Sequence, residues 1–403
     1  MRSAASSAAL GQDTYIVWGA ELSPFVLKLE ALLAAADVPF RRLPRDGGRL
    51  ENLRAAITVE RAKRSGTAMR PPGNDPLDEY PLVPFLLTPA GEVLYDSSAL
   101  ASWLDESHPR PAGPLVPTDP ALAFVARLLD EAFDEIGLYM VHHNRWKLAA
   151  TDNDDPGARL AREYSNHLPP GSGRLFGEWF GRRQVRRLPY LFSVAPQGYA
   201  VPGLSASLTP PSRAGFPATH ALLEQMWERC LQAVEQIVSD RRFLFGDIFT
   251  IADASIYGQL SMNLADRAAA ARLRELAPRT FAWLVAIRDR GHVASQGAAQ
   301  GSTHLTPLLQ FILEAFVPLM HANEHAYEQC RNRGESLFNE RGFEAGACLY
   351  DGELLGHPFR SVAKTFQVRV WRDIRGHWSA LAPDAKAQVA SLAGTPDLDA
   401  TFF

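Results

Sequence analysis

The stretch that decides the fold is Tyr15-Ile-Val-Trp-Gly-Ala-Glu-Leu-Ser23-Pro24-Phe-Val-Leu-Lys-Leu-Glu-Ala-Leu-Leu-Ala-Ala-Ala36. It begins with a short run of β-forming residues and continues, through Gly19, into apolar residues at helical spacing. Ser23 is a suitable N-cap, because its hydroxyl can accept one of the backbone N–H groups that a first turn leaves unpaired. Pro24 then occupies the first helical position, where no N–H is needed. The stretch predicts a strand, a loop and a helix, and a second strand follows over 40–43.

The predicted helix start suits a thiolate. A helix N-terminus favours negative charge, and the Ser23 hydroxyl adds a further donor. A ligand thiol with an ordinary pKa of about 8.5 would lose its proton more readily there. Ser23 and Val26 replace the two sulfurs of a Cys-x-x-Cys redox pair, so the stretch favours activation of a ligand's thiol over disulfide exchange by the protein. The alternative is that Ser23 only caps the helix.

Composition narrows the class of protein. The 403 residues, 46% of them hydrophobic, suffice for two or three domains. A formal net charge of −4 provides no basic field for nucleic acid or membranes. Three scattered cysteines, Cys230, Cys330 and Cys348, predict reduced thiols rather than a disulfide framework. The first ten residues lack a signal-peptide core, and no uninterrupted apolar run reaches membrane-spanning length, so we expect a cytoplasmic protein.

Two further landmarks lie between residues 82 and 98. The run 82–87 is predicted as a strand, and 92–95 as the strand that returns from a turn. Pro84 conflicts with a strand interior, because proline cannot donate to the ladder. A cis peptide bond beside a ligand, or an edge strand, would resolve the conflict. Asp96 and Ser97 then open a predicted helix.

Residues 15–106 resemble the thioredoxin-like N-terminal domain of a glutathione transferase, because Ser23-Pro24-Phe25, Val83-Pro84 and Asp96-Ser97 occur in the order of that family's motifs. The resemblance implies that the Ser23 hydroxyl hydrogen-bonds the glutathione sulfur. It implies that the backbone of Val83, before a cis-proline, pairs with the cysteinyl part. It also implies that Asp96 and Ser97 hold the γ-glutamyl end, where a carboxylate suits the ammonium and a helix N-terminus suits the carboxylate. The glutathione-binding residues implied are Phe25, Val83, Pro84, Asp96 and Ser97, with Ser23 as the catalytic residue.

The segment 44–80 departs from the family, which usually connects these strands more briefly. Leu50, Leu53 and Ile57 predict one helix within it. In the family this region commonly contacts the glycyl end of glutathione. The sequence assigns no residue to that end, and a widened or reshaped site is the alternative.

The chain beyond the proline-rich linker 109–120 is predicted to be helical. Adjacent His142 and His143 point to different faces of a helix, so we expect no metal site there, with one histidine packed or hydrogen-bonded and the other exposed. In glutathione transferases this helix flanks the second-substrate pocket. The candidates for lining that pocket are Trp18, Tyr139, His142 and Trp146, with simple packing as the alternative.

A second motif, Gly246-Asp247-Ile-Phe-Thr250-Ile-Ala-Asp253, follows two segments, 151–173 and 195–218, that are predicted to be loop-rich. Thr250 and Asp253 have the spacing of a capping box. The motif resembles the signature of the helical C-terminal domain of glutathione transferases, where its role is structural.

Residues 295–403 exceed the usual two-domain unit. We predict a long helix over 305–329, a hairpin over 347–355 with a type I′ turn at Asp351-Gly352, and a helix over 362–381. No catalytic pattern occurs here. The extension could cap the cleft, form a dimer contact or enlarge the core.

The predicted fold is an α/β thioredoxin-like domain (15–108) after a disordered N-terminus (1–14), then an all-α domain (121–294) and an α-rich extension with a β-hairpin (295–403). The resemblance implies that glutathione, as co-substrate and without a metal, attacks a hydrophobic small molecule, and that the enzyme is a homodimer. One alternative is another glutathione-dependent enzyme: an isomerase, dehalogenase, ether lyase or peroxidase. The other is a non-catalytic binding or scaffold protein.

Overall fold

The computed structural model describes residues 14–78, 82–148, 156–396 and 398–403. The stretch that decides the fold forms strand β1 (Tyr15–Trp18), helix α1 (Pro24–Ala35) and strand β2 (Phe40–Leu43), as the sequence predicts. β1 and β2 are parallel, with Tyr15 opposite Phe40. The prediction of a disordered N-terminus covers residues 1–14, of which 1–13 lie outside the described residues. The first five residues of the predicted loop 151–173 also lie outside them.

A mixed four-stranded sheet forms the N-terminal domain. After α2 (Arg49–Ser65) come β3 (Phe85–Leu87), β4 (Val93–Tyr95) and α3 (Ser97–Ser107), and the strand order is β2-β1-β3-β4. β3 runs antiparallel to both of its neighbours. Consecutive residues of β1 face opposite sides of the sheet: Val17 packs in the core shared with α1 and α3, and Trp18 packs with residues of α2. This arrangement of sheet and helices confirms the predicted thioredoxin-like class.

Two local predictions in this domain need correction. The strand predicted from residue 82 begins only at Phe85, and the preceding Val83-Pro84 peptide bond is cis. Helix α2 exists, but its large apolar residues Leu50, Leu53 and Ile57 are exposed. Its buried face consists of smaller residues, which let the helix approach the sheet closely: Asn52, Ala55, Val59 and Ala62.

Within the described residues, eight α-helices lie between the linker and the C-terminal extension: α4 (Pro120–Ala132), α5 (Leu138–Lys147), α6 (Pro156–Glu163), α7 (Gly173–Arg187), α8 (His220–Asp240), α9 (Ile251–Ser261), α10 (Arg267–Leu276) and α11 (Pro278–Arg288). A π-helical turn, Phe133–Gly137, joins α4 to α5. The predicted capping box is present at the start of α9, where Asp253 Oδ2 accepts from the N–H of Thr250 at 2.9 Å. The predicted loop 151–173 is partly wrong, since it contains α6.

Helices α1 and α9 pack unusually closely at Gly258. A Cβ atom at this position would lie 2.6 Å from the carbonyl oxygen of Pro24 and 2.8 Å from Cβ of Lys28. Only glycine allows this approach, because the obstructing atoms include backbone. The contact therefore fixes the N-terminal end of α1, and with it Ser23, against the helical region.

The C-terminal extension packs into the same hydrophobic core. Its elements are α12 (Thr306–Asn332), α13 (Asn339–Ala345), β5 (Leu349–Leu354), β6 (His357–Val362), α14 (Thr365–Ala380), α15 (Pro383–Ala393) and α16 (Asp399–Phe402). Phe124 of α4 contacts the rings of Trp378 and Phe402, with centroids 5.1 and 5.4 Å away. The extension therefore encloses α4 and enlarges the core, one of the three roles left open by the sequence.

Among the described residues, the helical span Thr303–Asn332, which includes α12, is long and apolar enough by length and composition to cross a membrane, although Gln310 and Glu314 interrupt its apolar run. More than half of its apolar window is buried. Its apolar side chains, such as Phe311 and Phe316, belong to the hydrophobic core, so burial accounts for the composition.

The predicted hairpin is present, but its turn is elsewhere. Asp351 and Gly352 lie inside β5, and the chain reverses at Leu355-Gly356, both with positive φ (50° and 78°). Gly352 is needed for another reason: a Cβ atom there would lie 2.4 Å from Cζ of Phe359 on the paired strand. The glycine therefore makes room for an aromatic ring.

Candidate functional site

Ser23 lies at the N-terminus of α1 without capping it. Its backbone is extended (φ −96°, ψ 120°) and its carbonyl accepts from the N–H groups of Val26 and Leu27. Its hydroxyl makes no capping hydrogen bond and none to another described residue. The side chain is half-buried. The hydroxyl therefore remains available at the positive end of a helix, where a thiolate would be stabilised.

The helical region holds the loop before Ser23 in place. The N–H of Glu21 donates to both carboxylate oxygens of Glu163 at 3.1 Å. The carbonyl of Leu22 accepts from Arg145, 3.3 Å away, and Arg145 is itself fixed by an ion pair with Asp266 at 2.8 Å. These contacts from α5 and α6 set the position of the loop, and therefore the direction of the Ser23 side chain.

Val83 lies close to the same loop. A Cβ atom on Gly19 would be 3.6 Å from Cβ of Val83 and 2.4 Å from Cγ2 of Val26. Val83 is 37% exposed, and its backbone makes no hydrogen bond to another described residue. An extended ligand could therefore pair with the Val83 backbone beside Ser23, while Phe25 is half-buried on the first turn of α1.

Asp96 joins β4 to α3 in an unusual backbone conformation, with φ 72° and ψ 101°. Its Oδ1 accepts from the N–H groups of Ser98 and Ala99, both at 3.1 Å. Its Oδ2 accepts from Arg70 Nε at 2.6 Å and from Arg369 Nη2 at 3.5 Å. Arg369 belongs to α14, so the extension reaches into the predicted γ-glutamyl site.

The electrostatics of Asp96 follow from these partners. Burial alone would raise the pKa of the carboxyl group, but the guanidinium groups of Arg369 and Arg70 and the N–H of Ala99 hold the pKa of Asp96 below its ordinary value. The carboxylate is therefore ionised at neutral pH. Ser97, the first residue of α3, is buried.

Beneath the site, a buried lysine connects four elements. Lys28 Nζ on α1 lies 2.5 Å from Asp130 Oδ1 and 2.6 Å from Asp134 Oδ2, and donates to Ser98 Oγ at 2.9 Å. Asp134 also accepts from Ser255 on α9 at 2.9 Å. Burial alone would lower the pKa of Lys28, but the two carboxylates outweigh it and raise that pKa. Burial raises the pKa of Asp130 to about 6.

Tyr139, a candidate for the second-substrate pocket, is buried against the extension. Its hydroxyl accepts from Gln367 Nε2 at 2.9 Å and from the buried Lys364. Its ring stacks on Phe192 with centroids 5.3 Å apart. Burial raises the pKa of the Tyr139 phenol.

The other three candidates occupy separate surroundings. Trp18 is buried and meets His167 edge to face at 5.6 Å. Trp146 packs in a small cluster with Val185 and Leu188. His142 is half-buried, and burial lowers its pKa to about 3. The described contacts do not bring Trp18, Tyr139, His142 and Trp146 together.

The histidine prediction is corrected in one respect. His143 is buried and its Nδ1 lies 2.8 Å from Ser193 Oγ, as expected for the packed member of the pair. The other member of the pair, predicted to be exposed, is His142, and it is half-buried. Within the part of the chain that the structure describes, no group of three or more His, Cys, Asp or Glu side chains is placed to hold a metal ion.

An open depression of about 670 Å³ lies apart from these residues. It is bounded by the first turns of α2 and by Ile16 and Leu87 of the sheet. None of the predicted site residues lines it, so its shape provides no second-substrate pocket beside Ser23.

Sequence reasoning missed the arginines and the lysine that organise the site. Arg369 is 273 residues away from Asp96 in the chain, and no local sequence pattern predicts an ion pair over such a separation. Lys28 stands among the apolar residues of α1. A charged residue on the buried face of a predicted helix was the one available signal, because such residues are rarely buried without a partner.

The chain combines a thioredoxin-like sheet, a helix N-terminus at which the Ser23 hydroxyl makes no capping bond, and a following helical domain. Residues 217–286, which include α8, the capping box and α9, match the family model described as glutathione S-transferase, C-terminal domain. This match identifies a domain of the glutathione S-transferase C-terminal type within the chain and confirms the resemblance predicted from the sequence. A comparison with curated protein sequences gave no match.

Solved structures to which the chain is similar include a glutathione S-transferase from Methylobacillus flagellatus with glutathione bound, at 16% identity and a TM-score of 0.37, covering 69% of this chain and 96% of the other. Another is a glutathione S-transferase from Methylobacterium radiotolerans in complex with glutathione sulfonate, at 22% identity and a TM-score of 0.35, covering 72% and 97%. A third is the beta-etherase LigF from Sphingobium sp. strain SYK-6, at 15% identity and a TM-score of 0.40, covering 69% and 96%. These likenesses assign no reaction or ligand to this chain.

Proposed function

We propose that this protein is a glutathione transferase in which Ser23 and the N-terminus of α1 stabilise the thiolate of bound glutathione. The observation that carries the proposal is the Ser23 hydroxyl, which occupies the N-cap position without capping the helix. A bound sulfur anion would accept from this hydroxyl and gain from the helix dipole. Both interactions favour the charged form of the thiol and lower its pKa.

In this proposal the thiolate, not Ser23, is the nucleophile. It attacks an electrophilic carbon of a hydrophobic small molecule, forming a carbon–sulfur bond as the leaving group departs with its electron pair. Ser23 orients the sulfur and stabilises its charge. Phe25, the Val83 backbone and Pro84 would position the cysteinyl part, and Ser97 at the N-terminus of α3 would receive the γ-glutamyl carboxylate.

The second substrate would approach past Trp18 at the end of β1 and α5, whose Arg145 reaches the loop before Ser23. Because Trp18, His142, Tyr139 and Trp146 occupy separate surroundings, they would contribute to the pocket singly and not as one wall. A cytoplasmic homodimer completes the proposal. An isomerase, dehalogenase, ether lyase or peroxidase would use the same thiolate with a different second substrate.

A non-catalytic binding protein is the second candidate, favoured by a specific observation. Both carboxylate oxygens of Asp96 already have two donors each within the protein, and Arg369 of the extension is one of them. A protein whose Asp96 carboxylate is occupied in this way could retain the fold without catalysing a reaction.

Conjugation kinetics separate the two candidates. We expect the wild-type protein to conjugate glutathione to a halogenated nitroarene. Ser23→Ala should react up to about tenfold more slowly near neutral pH, because a thiol pKa raised by about one unit leaves as little as about a tenth of the thiolate when the pH lies below both pKa values. Glutathione affinity, measured by calorimetry, should change less than about threefold, since a neutral hydrogen bond contributes only about 0.5–1.5 kcal/mol.

Ser172→Ala is the matched control, because Ser172 also precedes a helix, α7, without a side-chain capping bond. It should behave as wild type. Saturable glutathione binding without conjugation of any electrophile would favour the binding protein, and equal rates for wild type and Ser23→Ala would contradict the role of Ser23.

A further inference from the structure

Five charged side chains form a cluster at the N-terminus of α3, which we call the Asp96 cluster. Arg70, Asp78 and Asp96 come from the N-terminal domain, and Arg369 and Asp373 from α14 of the extension. Arg369 Nε lies 2.6 Å from Asp78 Oδ1, its Nη1 3.2 Å from Asp373 Oδ2 and its Nη2 3.5 Å from Asp96 Oδ2. The Arg369 side chain is only 10% exposed, so the extension contributes a largely buried cation to this position.

The Asp96 carboxylate has no acceptor position left. An ionised carboxylate offers about four lone-pair sites. Two amide N–H groups of α3 occupy Oδ1, and Arg70 and Arg369 occupy Oδ2. A ligand ammonium would have to displace one of the two arginines, and the longer contact, at 3.5 Å, belongs to Arg369.

We propose that Arg369 is a specificity-determining residue that fills the ammonium position of the ligand site, so that the site selects thiol peptides by their terminal carboxylate and not by their ammonium. This inference rests on the proposed function. The terminal carboxylate of the ligand keeps partners in the site. The N-terminus of α3 at Ser97 favours an anion, and Arg70 has N–H donors beyond the Nε that Asp96 accepts from and the Nη2 that lies 3.7 Å from Asp373 Oδ2.

The expected consequence is that the affinity of the wild-type protein for a thiol peptide depends little on the γ-glutamyl ammonium. Glutathione and glutaryl-cysteinylglycine differ only in the γ-glutamyl ammonium, which the second peptide lacks. A free carboxylate that received this ammonium would favour glutathione by about tenfold or more, because hydrogen bonds between charged groups are among the stronger ones. With Arg369 in that position, wild-type protein should bind the two thiols with dissociation constants within about threefold of each other.

Arg369→Met tests the assignment, because it keeps an apolar stem of similar length and removes the cation. In this variant Oδ2 of Asp96 regains an acceptor position, and we expect glutathione to bind about tenfold or more tightly than glutaryl-cysteinylglycine. Arg375→Met is the matched control: Arg375 lies on the same helix and pairs with Glu324 of α12 at 2.8 Å. The control should keep the wild-type ratio of affinities.

Calorimetric titration of the full-length chain with each peptide measures these ratios. A wild-type preference for glutathione of tenfold or more would overturn the inference alone, as would an unchanged ratio in folded Arg369→Met. The wild-type ratio requires no variant and decides the question even if Arg369→Met fails to fold. If Arg369→Met binds glutathione and the wild-type protein does not, the result would support the inference. No saturable binding of either peptide by either protein would overturn the proposed function, and this inference with it.

Discussion

Replacing Lys28 by methionine should destabilise the protein strongly. Methionine keeps the length and apolar stem of the side chain, so packing is nearly preserved. The ammonium that it removes uses three contacts, with Asp130 at 2.5 Å, Asp134 at 2.6 Å and Ser98 at 2.9 Å. Lys28 and Asp130 are each only 1% exposed. Breaking such a pair leaves buried carboxylates without compensation, and we expect a loss of about 3–5 kcal/mol in the free energy of unfolding.

The loss should depend on pH in a defined direction. Burial raises the pKa of folded Asp130 to about 6, above the value of about 3.9 expected in the unfolded chain. The folded state therefore takes up a proton there as the pH falls, and more readily once Lys28 is absent. Protonation removes the uncompensated charge, so the penalty of Lys28→Met should be larger at about pH 8 than at about pH 5.

Equilibrium urea unfolding, followed by tryptophan fluorescence and circular dichroism, measures both effects, with coincidence of the two transitions as the test of two-state behaviour. Arg174→Ala is the control, because it breaks an exposed ion pair with Glu178 at 2.9 Å on α7 and should change stability by less than about 0.5 kcal/mol. A loss below about 1 kcal/mol for Lys28→Met at about pH 8 would refute the reasoning.

Three further outcomes follow from close contacts and buried charge. Gly258→Ala should lower the free energy of unfolding by about 2 kcal/mol or more, because its methyl group would meet backbone atoms of α1. Gly376→Ala, in open space on α14, should instead raise it by about 0.5–1 kcal/mol. Thermal melts compare the two variants. Gly19→Ala should destabilise by about 1–3 kcal/mol through contact with Val26, and adding Val26→Ala should reduce the contact term in a double-mutant cycle. Burial raises the pKa of Glu135 to about 7, so stability should fall as pH rises from about 4.5 to about 7, and Glu135→Gln should flatten that fall in urea titrations.

The parts of the fold that sequence reasoning predicted correctly have local signals. Pro24 marks a helix start by its N1 preference, although the Ser23 hydroxyl does not make the predicted capping bond, and Thr250 with Asp253 marks another start by reciprocal capping. The Val83-Pro84 step contradicted a strand interior, and the structure places it outside the ladder. In each case the residues that determine the local structure lie within four positions of one another, so a single sequence is enough to predict it.

The parts that it did not predict depend on contacts between distant residues. Asp351-Gly352 has the composition of a type I′ turn, but the ring of Phe359 packs over Gly352 and the chain turns four residues later. The pairing of Arg369 with Asp96 joins the extension to the N-terminal domain. This ion pair forms only because of how α14 packs against the N-terminal domain, and no residue spacing in the sequence predicts that packing.

The central claim is that Ser23 and the N-terminus of α1 stabilise a thiolate, and the pKa of the bound glutathione thiol tests it most directly. The measurement is the ultraviolet absorbance of the thiolate during pH titration of the complex, for wild type and for Ser23→Ala. We predict a wild-type thiol pKa below its ordinary value of about 8.5–9, and a value about one unit higher in Ser23→Ala. An ordinary thiol pKa in the wild-type complex, or the same lowered pKa in both proteins, would contradict the account.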